Sequence, residues 1–100
     1  MSSAARVGDM TSHLKTPLGP GPGSHNVLIG GMPAWRAGVD FHKCTDAVPG
    51  GNPHAGGVVA IGSSTVSING FAAARKGDQI VEAGPPNSIE SGCDTVSIGG

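Results

Sequence analysis

The sequence predicts an all-β fold in which three β-hairpin repeats surround a pseudo-threefold axis. One pattern, an apolar-x-apolar strand, a glycine turn and a return strand ending in Arg, occurs at residues 27–36 and again at 66–75. The chain ends with VSIGG at 96–100 and begins with AAR at 4–6, so a third copy is split between the termini. No segment shows the apolar period of about 3.6 residues that a helix needs.

Local chemistry predicts each hairpin. Val66 and Ile68 lie two residues apart and therefore face the same side of a strand. β-branched residues favour this extended backbone. Asn69-Gly70 suits a type I′ turn, because both central residues of that turn need positive φ. Gly30-Gly31 and Gly99-Gly100 stand at the same register in the other copies.

Pairing of the two terminal fragments completes the third hairpin. The closed ring that results hides strand edges, which otherwise invite aggregation. Isolated hairpins are marginal in water, so we expect the ring to supply most of the stability. The apolar strand residues should form layers around the axis: Val27 and Ile29, Val66 and Ile68, and Val96 and Ile98. A β-sandwich with chance internal similarity is the alternative.

Composition limits the class of protein. With 100 residues the chain forms one small domain, whose thin margin often needs a metal, a disulfide or a partner. Six Lys and Arg against seven Asp and Glu give no basic field for phosphates, and the three aromatic residues are scattered. Nucleic acid is therefore not an expected partner.

The N-terminal residues 1–9 lack the apolar core of a signal peptide, and no apolar run approaches the roughly 20 residues that span a bilayer. We therefore expect the chain to start in the cytoplasm. The two cysteines of a protein in a reducing compartment are more often metal ligands or free thiols than a disulfide.

Histidine and cysteine residues cluster around the ends of the hairpin strands. The strands leave their hairpins near Asp9, Asp40 and Asp78, which should lie opposite the turns. Five candidate ligands should gather at that end: His13, His42, Cys44 and Cys93 beside the strand ends, and His54 in the long loop between Asp40 and Gly62. Zinc in a structural site takes four such nitrogen and sulfur donors in a tetrahedron. His25 stands at a strand start and is interpreted as a surface residue.

Enzymatic activity is not expected. A catalytic zinc keeps one position open for water, whereas this chain offers four protein ligands and no HExxH helix. The three aspartates recur with the repeat, which favours a role in capping turn amides, with Arg6, Arg36 and Arg75 as their partners. The GPGPG run at 19–23 lacks the Lys-Ser/Thr of a phosphate loop. A small zinc hydrolase is the alternative from the enzyme class.

The repeats resemble the PAAR family, which is named for a Pro-Ala-Ala-Arg motif. The motif stands here as Pro33-Ala34-Trp35-Arg36, Ala73-Ala74-Arg75 and Ala4-Ala5-Arg6. The flanking segments ARVGDMTSH, NVLIGG, PHAGGVV and TVSING also look like this family, so the resemblance covers essentially the whole chain. The sequence departs from the family pattern at Trp35 in place of Ala, at Phe71 in place of Pro, and at Val39, which separates Gly38 from Asp40.

PAAR proteins form sharp cones on the trimeric VgrG spike of type VI secretion systems. The resemblance therefore implies a small three-sided cone, zinc-stapled, that caps VgrG as a monomer on a trimer. Such a tip sharpens the spike for membrane puncture, contacts the target membrane transiently and helps to attach effector proteins. The chain would be cytoplasmic before firing and then secreted at the tip. The tip of a phage tail or a related contractile particle is the alternative.

The resemblance also implies a single domain over residues 1–100, without a fused effector or a transmembrane extension. The family holds zinc with three His and one Cys, which here implies one structural zinc per chain. The implied ligands are His13, His42, His54 and Cys93. Cys44 competes for the sulfur position, because it follows Asp40 by four residues, as His13 follows Asp9.

Overall fold

The computed structural model of the protein describes residues 2–12, 17–42, 57–81 and 87–99. These ranges contain short β-strands and no helix, so the described part of the chain holds no helix able to cross a membrane. The strands are β1 (Ser2–Ala4), β2 (Pro20–Gly21), β3 (Leu28–Ile29), β4 (Met32–Pro33), β5 (Phe41–His42), β6 (Val58–Val59), β7 (Ser67–Ile68), β8 (Phe71–Ala72), β9 (Gln79–Val81), β10 (Asn87–Ser88) and β11 (Cys93–Ile98).

Two hairpins form where the repeats predict them. Strand β3 pairs antiparallel with β4, and β7 pairs in the same way with β8. The turn of the first hairpin has φ values of 58° at Gly30 and 84° at Gly31. The turn of the second has 54° at Asn69 and 84° at Gly70. Positive φ at both central residues is the type I′ geometry, so the prediction for both turns is confirmed.

The third hairpin joins the two termini of the chain. Strand β1 pairs antiparallel with β11, which places Ser2 opposite Ile98 and Ala4 opposite Cys93. An irregularity in the pairing falls between Ser3 and Ala4. The predicted closure between the first and last strands is therefore confirmed.

A cycle of three main-chain hydrogen bonds links the repeats around the axis. The N–H of Ala5 donates to the carbonyl of Ala74 (3.1 Å), that of Ala74 to Trp35 (3.0 Å), and that of Trp35 back to Ala5 (3.0 Å). We call this set the axial cycle. Residues next to the axial cycle form three antiparallel bridges with the same threefold relation: Ala4 with Arg75, Arg6 with Ala34, and Arg36 with Ala73. The pseudo-threefold arrangement is thus a property of the main chain.

Beyond the axial cycle, on the side away from the hairpins, six chain segments pair into a second ring, which we call the distal ring. Around this ring, residues 17–21 lie beside 41–42, then 57–59, 79–81, 87–89 and 10–12, which return to 17. The successive pairs are Pro20 with His42, His42 with Gly57, Val59 with Ile80, Ile80 with Asn87, Ile89 with Thr11, and Met10 with Pro17. Every segment therefore has a neighbour on both sides.

The core consists of two apolar clusters that meet at the axial cycle. The hairpin cluster contains Ala4, Ala34, Ala73, Ile29, Ile68, Cys93 and Ile98. The distal cluster contains Ala5, Trp35, Ala74, Leu18, Ala37, Val59, Ile80 and Ile89. Successive residues of each Ala-Ala-Arg motif alternate between the two clusters, as extended backbone requires. Trp35 is fully buried where the other repeats have alanine, so one indole fills this core.

The predicted axial layers are partly confirmed. The inner layer of Ile29, Ile68 and Ile98 is buried. Val27 and Val66 only pack against its margin, and Val96 is 37% exposed, so the expectation for Val96 was wrong. Val27 and Val66 directly precede β3 and β7, at the margin of the short paired regions, whereas Val96 lies where the pairing of β11 with β1 is irregular. The molecule is elongated, with extents of 39 × 23 × 21 Å, while a taper to a vertex stays a prediction.

Close contact between neighbouring segments can be tested at Gly62. A Cβ atom at this position would lie 2.6 Å from the carbonyl oxygen of Ala73, which belongs to main chain and cannot rotate away. We expect Gly62→Ala to lower the free energy of unfolding by about 1–3 kcal/mol, measured by denaturant titration. Gly99→Ala is the control, because the nearest atom to its Cβ would be 3.8 Å away. Equal effects of the two substitutions would contradict the close approach.

Candidate functional site

Each repeat ends in an Arg–Asp pair with the same geometry. The carboxylate of Asp9 accepts hydrogen bonds from the main-chain N–H of Arg6 (2.7 Å), from Nε (3.1 Å) and from Nη2 (2.9 Å). The other two pairs repeat all three bonds: Arg36 with Asp40 and Arg75 with Asp78. The predicted capping of a turn amide by each aspartate is confirmed. Each Arg–Asp pair therefore closes the turn at the end of its repeat and stabilises it.

The second pair is the most buried of the three. Asp40 is fully buried and Arg36 is 8% exposed. The hydrogen bond from Arg36 to Asp40 raises the pKa of this guanidinium above its usual value, although burial acts in the opposite direction. Arg36 also donates to the carbonyl of Gly23 and lies 5.8 Å from the centre of the Phe71 ring. The extra Val39 in this turn therefore leaves the ion pair intact.

His42 is the predicted zinc ligand that the structure places in the distal ring. Its side chain is fully buried, on a strand where it lies opposite Pro20. Its main chain exchanges two hydrogen bonds with Gly57, of 2.8 and 2.9 Å. His25, by contrast, is exposed, which confirms its interpretation as a surface residue.

His13, Cys44 and His54 lie outside the described residues. The residues that flank these ranges can nevertheless be placed. His13 belongs to the range 13–16, and Cys44 and His54 belong to the range 43–56. Pro17 pairs with Met10, and Gly57 pairs with His42, so the residues that flank these two ranges lie on the distal ring. The chain order therefore connects three of the five candidate ligands directly to the ring that holds His42.

Cys93 lies with the hairpins, unlike His42. Its sulfur belongs to the hairpin cluster and would lie 3.4 Å from a Cβ atom built on Gly30, in the turn of a neighbouring hairpin. A hydrogen bond with the Thr95 hydroxyl, 3.2 Å from Sγ, is the main cause that lowers the pKa of this thiol, and the charge of Arg6 acts in the same direction. Cys93 therefore stands at the start of β11, in the hairpin cluster and beside the turn of a neighbouring hairpin.

Among the described residues, no group of three or more His, Cys, Asp or Glu side chains is arranged to hold a metal ion. The set of His13, His42, His54 and Cys93 stays a prediction. Only His42 and Cys93 of this set lie in the described ranges, and they belong to different parts of the fold.

A further repeated contact was missed at the sequence level. Ser24, Ser63 and Cys93 occupy one position, directly after the glycine that starts each hairpin. Ser24 donates a hydrogen bond to Asn69 (2.6 Å), and Ser63 donates one to the carbonyl of Gly99. Each serine therefore bonds to the first turn residue of the next hairpin, and the sulfur of Cys93 lies beside Gly30, the corresponding turn residue. The recurring spacing Gly-Ser/Cys-x-x-Val is the pattern that could have revealed it.

Comparison with known families agrees with this geometry. A family model described as the PAAR motif matches residues 49–100, just over half of the chain. The chain belongs to the PAAR-motif family. Among curated proteins no sequence matches it. The matched range contains the second hairpin and the C-terminal half of the split one.

Membership gives the protein a general role. PAAR-motif proteins are structural, spike-tip-related proteins of the type VI secretion type, and they associate with a spike complex. The all-β fold of the described residues, with its three related hairpins, is consistent with this role. The family is also known to bind metal, so the positions of the predicted zinc ligands bear on the role of this chain.

The buried Arg–Asp pair gives a prediction about stability. We expect Asp40→Asn to lower the free energy of unfolding by about 3–5 kcal/mol, because it leaves the buried charge of Arg36 without a counterion. Asp9→Asn is the comparison, and it should cost less because the side chain of its partner Arg6 is 22% exposed. Denaturant titration of both variants measures the difference. Equal losses would contradict the role of burial.

Proposed function

We propose that this chain caps the blunt end of a trimeric VgrG spike with its hairpin end, as a monomer on a trimer. The axial cycle is the observation that carries the proposal, because it relates three hairpins of one chain by an approximate threefold axis. A single chain can thereby offer three similar surfaces to a partner with exact threefold symmetry.

The hairpins also supply suitable contact chemistry. Four apolar side chains of the hairpins are exposed: Leu28 (60%), Met32 (41%), Phe71 (42%) and Val96 (37%). Apolar side chains of this kind can supply the apolar core of a protein interface. Unpaired strand edges of the short hairpins can add main-chain hydrogen bonds to a partner sheet.

The rest of the fold suits a tip that leaves the cytoplasm at the head of a spike and punctures a membrane. A tip must resist unfolding under force, which depends on the barrier to unfolding. The chain can open only when several segment pairings of the axial cycle and the distal ring break together. Attachment of effector proteins is part of the proposed role, and catalysis is not.

The proposal includes one structural zinc per chain on the distal side. Such a zinc is held by four nitrogen and sulfur donors and links distant segments of a small domain. The buried imidazole of His42 and the ranges containing His13 and His54 fit this donor set. The position of Cys93 in the hairpin cluster, beside the turn at Gly30, favours Cys44 as the sulfur ligand.

Metal analysis of purified protein tests the zinc site. We expect about one zinc per chain, a lower melting temperature after chelation, and loss of the metal in His42→Ala. Cys44→Ser should lose zinc, whereas Cys93→Ser should retain it and keep the fold, because serine occupies the same position in the other repeats. Loss of zinc in Cys93→Ser alone would return the sulfur position to Cys93. No zinc and an unchanged melting temperature after chelation would exclude the site.

Capping is tested by mixing the protein with a purified VgrG trimer and determining the stoichiometry by native mass spectrometry. We expect one chain per trimer. Leu28→Asp should weaken binding at least about tenfold, because it places a charge in the apolar contact surface. Ile61→Asp is the matched control, since Ile61 is also highly exposed but lies outside the hairpins. No complex with the wild-type chain, or equal losses in both variants, would contradict the assignment.

A further inference from the structure

Among the described residues, the approximate threefold symmetry is broken at one aspartate, which has no hydrogen-bond donor beyond its own Arg. Asp9 accepts a hydrogen bond from the Ser91 hydroxyl (3.2 Å), and Asp40 accepts one from the N–H of Gly23 (3.0 Å). Both donors belong to the segment that leads into the same hairpin from which the aspartate's own strand returns. The carboxylate of Asp78 bonds only to Arg75 among the described residues.

The position of the Ser91 donor corresponds to Ile61 in the repeat of Asp78. The glycines before the hairpins occupy equivalent positions, because a Cβ atom on Gly62 would meet the carbonyl of Ala73 as one on Gly92 would meet that of Ala4. Ile61 precedes Gly62 as Ser91 precedes Gly92. Where one repeat has a hydroxyl that donates to its aspartate, this repeat has an aliphatic side chain that is 78% exposed.

An open groove lies at this position. It has a volume of about 240 Å³, with Ile61 and Val81 among its lining residues and the Arg75–Asp78 pair at its wall. Val81 is 60% exposed, so two β-branched side chains face solvent beside a buried carboxylate. Exposed apolar side chains that line one groove, unlike single scattered ones, indicate a binding surface.

We propose that this groove binds an extended segment of a partner protein in which a serine or threonine is flanked by aliphatic residues. The hydroxyl donates to Oδ1 of Asp78, as Ser91 donates to Asp9 within the chain itself. The aliphatic neighbours pack on Ile61 and Val81. A neutral donor is favoured over a lysine, because Arg75 already neutralises Asp78 at 2.9 Å and would repel a second cation.

This site deepens the proposed attachment of effectors and rests on that role for the identity of the partner. The chemistry of the groove does not depend on it. The groove is lined by residues of the distal ring and its neighbouring turns, so a segment bound there leaves the hairpins open to the spike.

Selection from a phage-displayed library of random heptapeptides against the wild-type protein tests the groove. We expect enriched sequences with serine or threonine between aliphatic residues, and we expect the best synthetic peptide to bind in a calorimetric titration. Ile61→Ser supplies the missing hydroxyl from within the chain and should weaken that peptide at least about tenfold without lowering the melting temperature. Leu28→Ser is the matched control: Leu28 is as exposed as Val81, lies on a hairpin, and its replacement should leave peptide binding unchanged.

The proposal is overturned if no such pattern is enriched, or if Ile61→Ser binds the peptide as tightly as the wild type. A dimer of the wild-type protein that Ile61→Ser abolishes would assign the groove to a second copy and would also overturn it. Ile61→Ser should still cap the VgrG trimer. Peptide binding without any spike capping by the wild type would support the groove and refute the proposed function alone.

Discussion

Three main-chain hydrogen bonds around the axis, among Ala5, Trp35 and Ala74, impose the constraint on which the rest of the structure depends. Main-chain groups from three segments can bond in a cycle only where the segments approach closely, and small side chains permit that approach. Alanine therefore recurs in the motif, and the glycines before the hairpins have no space for a Cβ atom. Trp35 replaces one alanine because the distal core offers room for one large side chain, which the other two repeats leave free.

Around this cycle, each repeat ends in a turn that is closed by an Arg–Asp pair. The aspartate caps the main-chain N–H of the arginine and forms an ion pair with its guanidinium. The arrangement tolerates the extra Val39 because the carboxylate reaches the same three donors from a turn that is one residue longer. Repetition of these pairs with the fold explains why charged residues recur at fixed positions in the chain. Their energetic role follows from burial, which differs from one repeat to the next.

The hairpin end and the distal end of the molecule differ in the residues that they contain. The hairpin end carries threefold-related strands with exposed apolar side chains, which suit a partner of matching symmetry. The distal end contains the buried His42, whose main chain pairs with Gly57. Departures from symmetry, such as Ile61 in place of a hydroxyl donor, provide what a symmetric surface cannot, a single distinct face for one further ligand.

The all-β class, the type I′ turns, the pairing of the first and last strands and the capping aspartates could all be predicted from the sequence. These features depend on local conformational preference and on a repeat that is visible in the residues themselves. The height of a residue along the axis depends instead on how the repeats stack, which spacing in the sequence does not reveal. Only the tertiary structure therefore placed Cys93 beside the turn at Gly30, and placed Asp78 in one groove with an isoleucine where its counterpart Asp9 meets a serine.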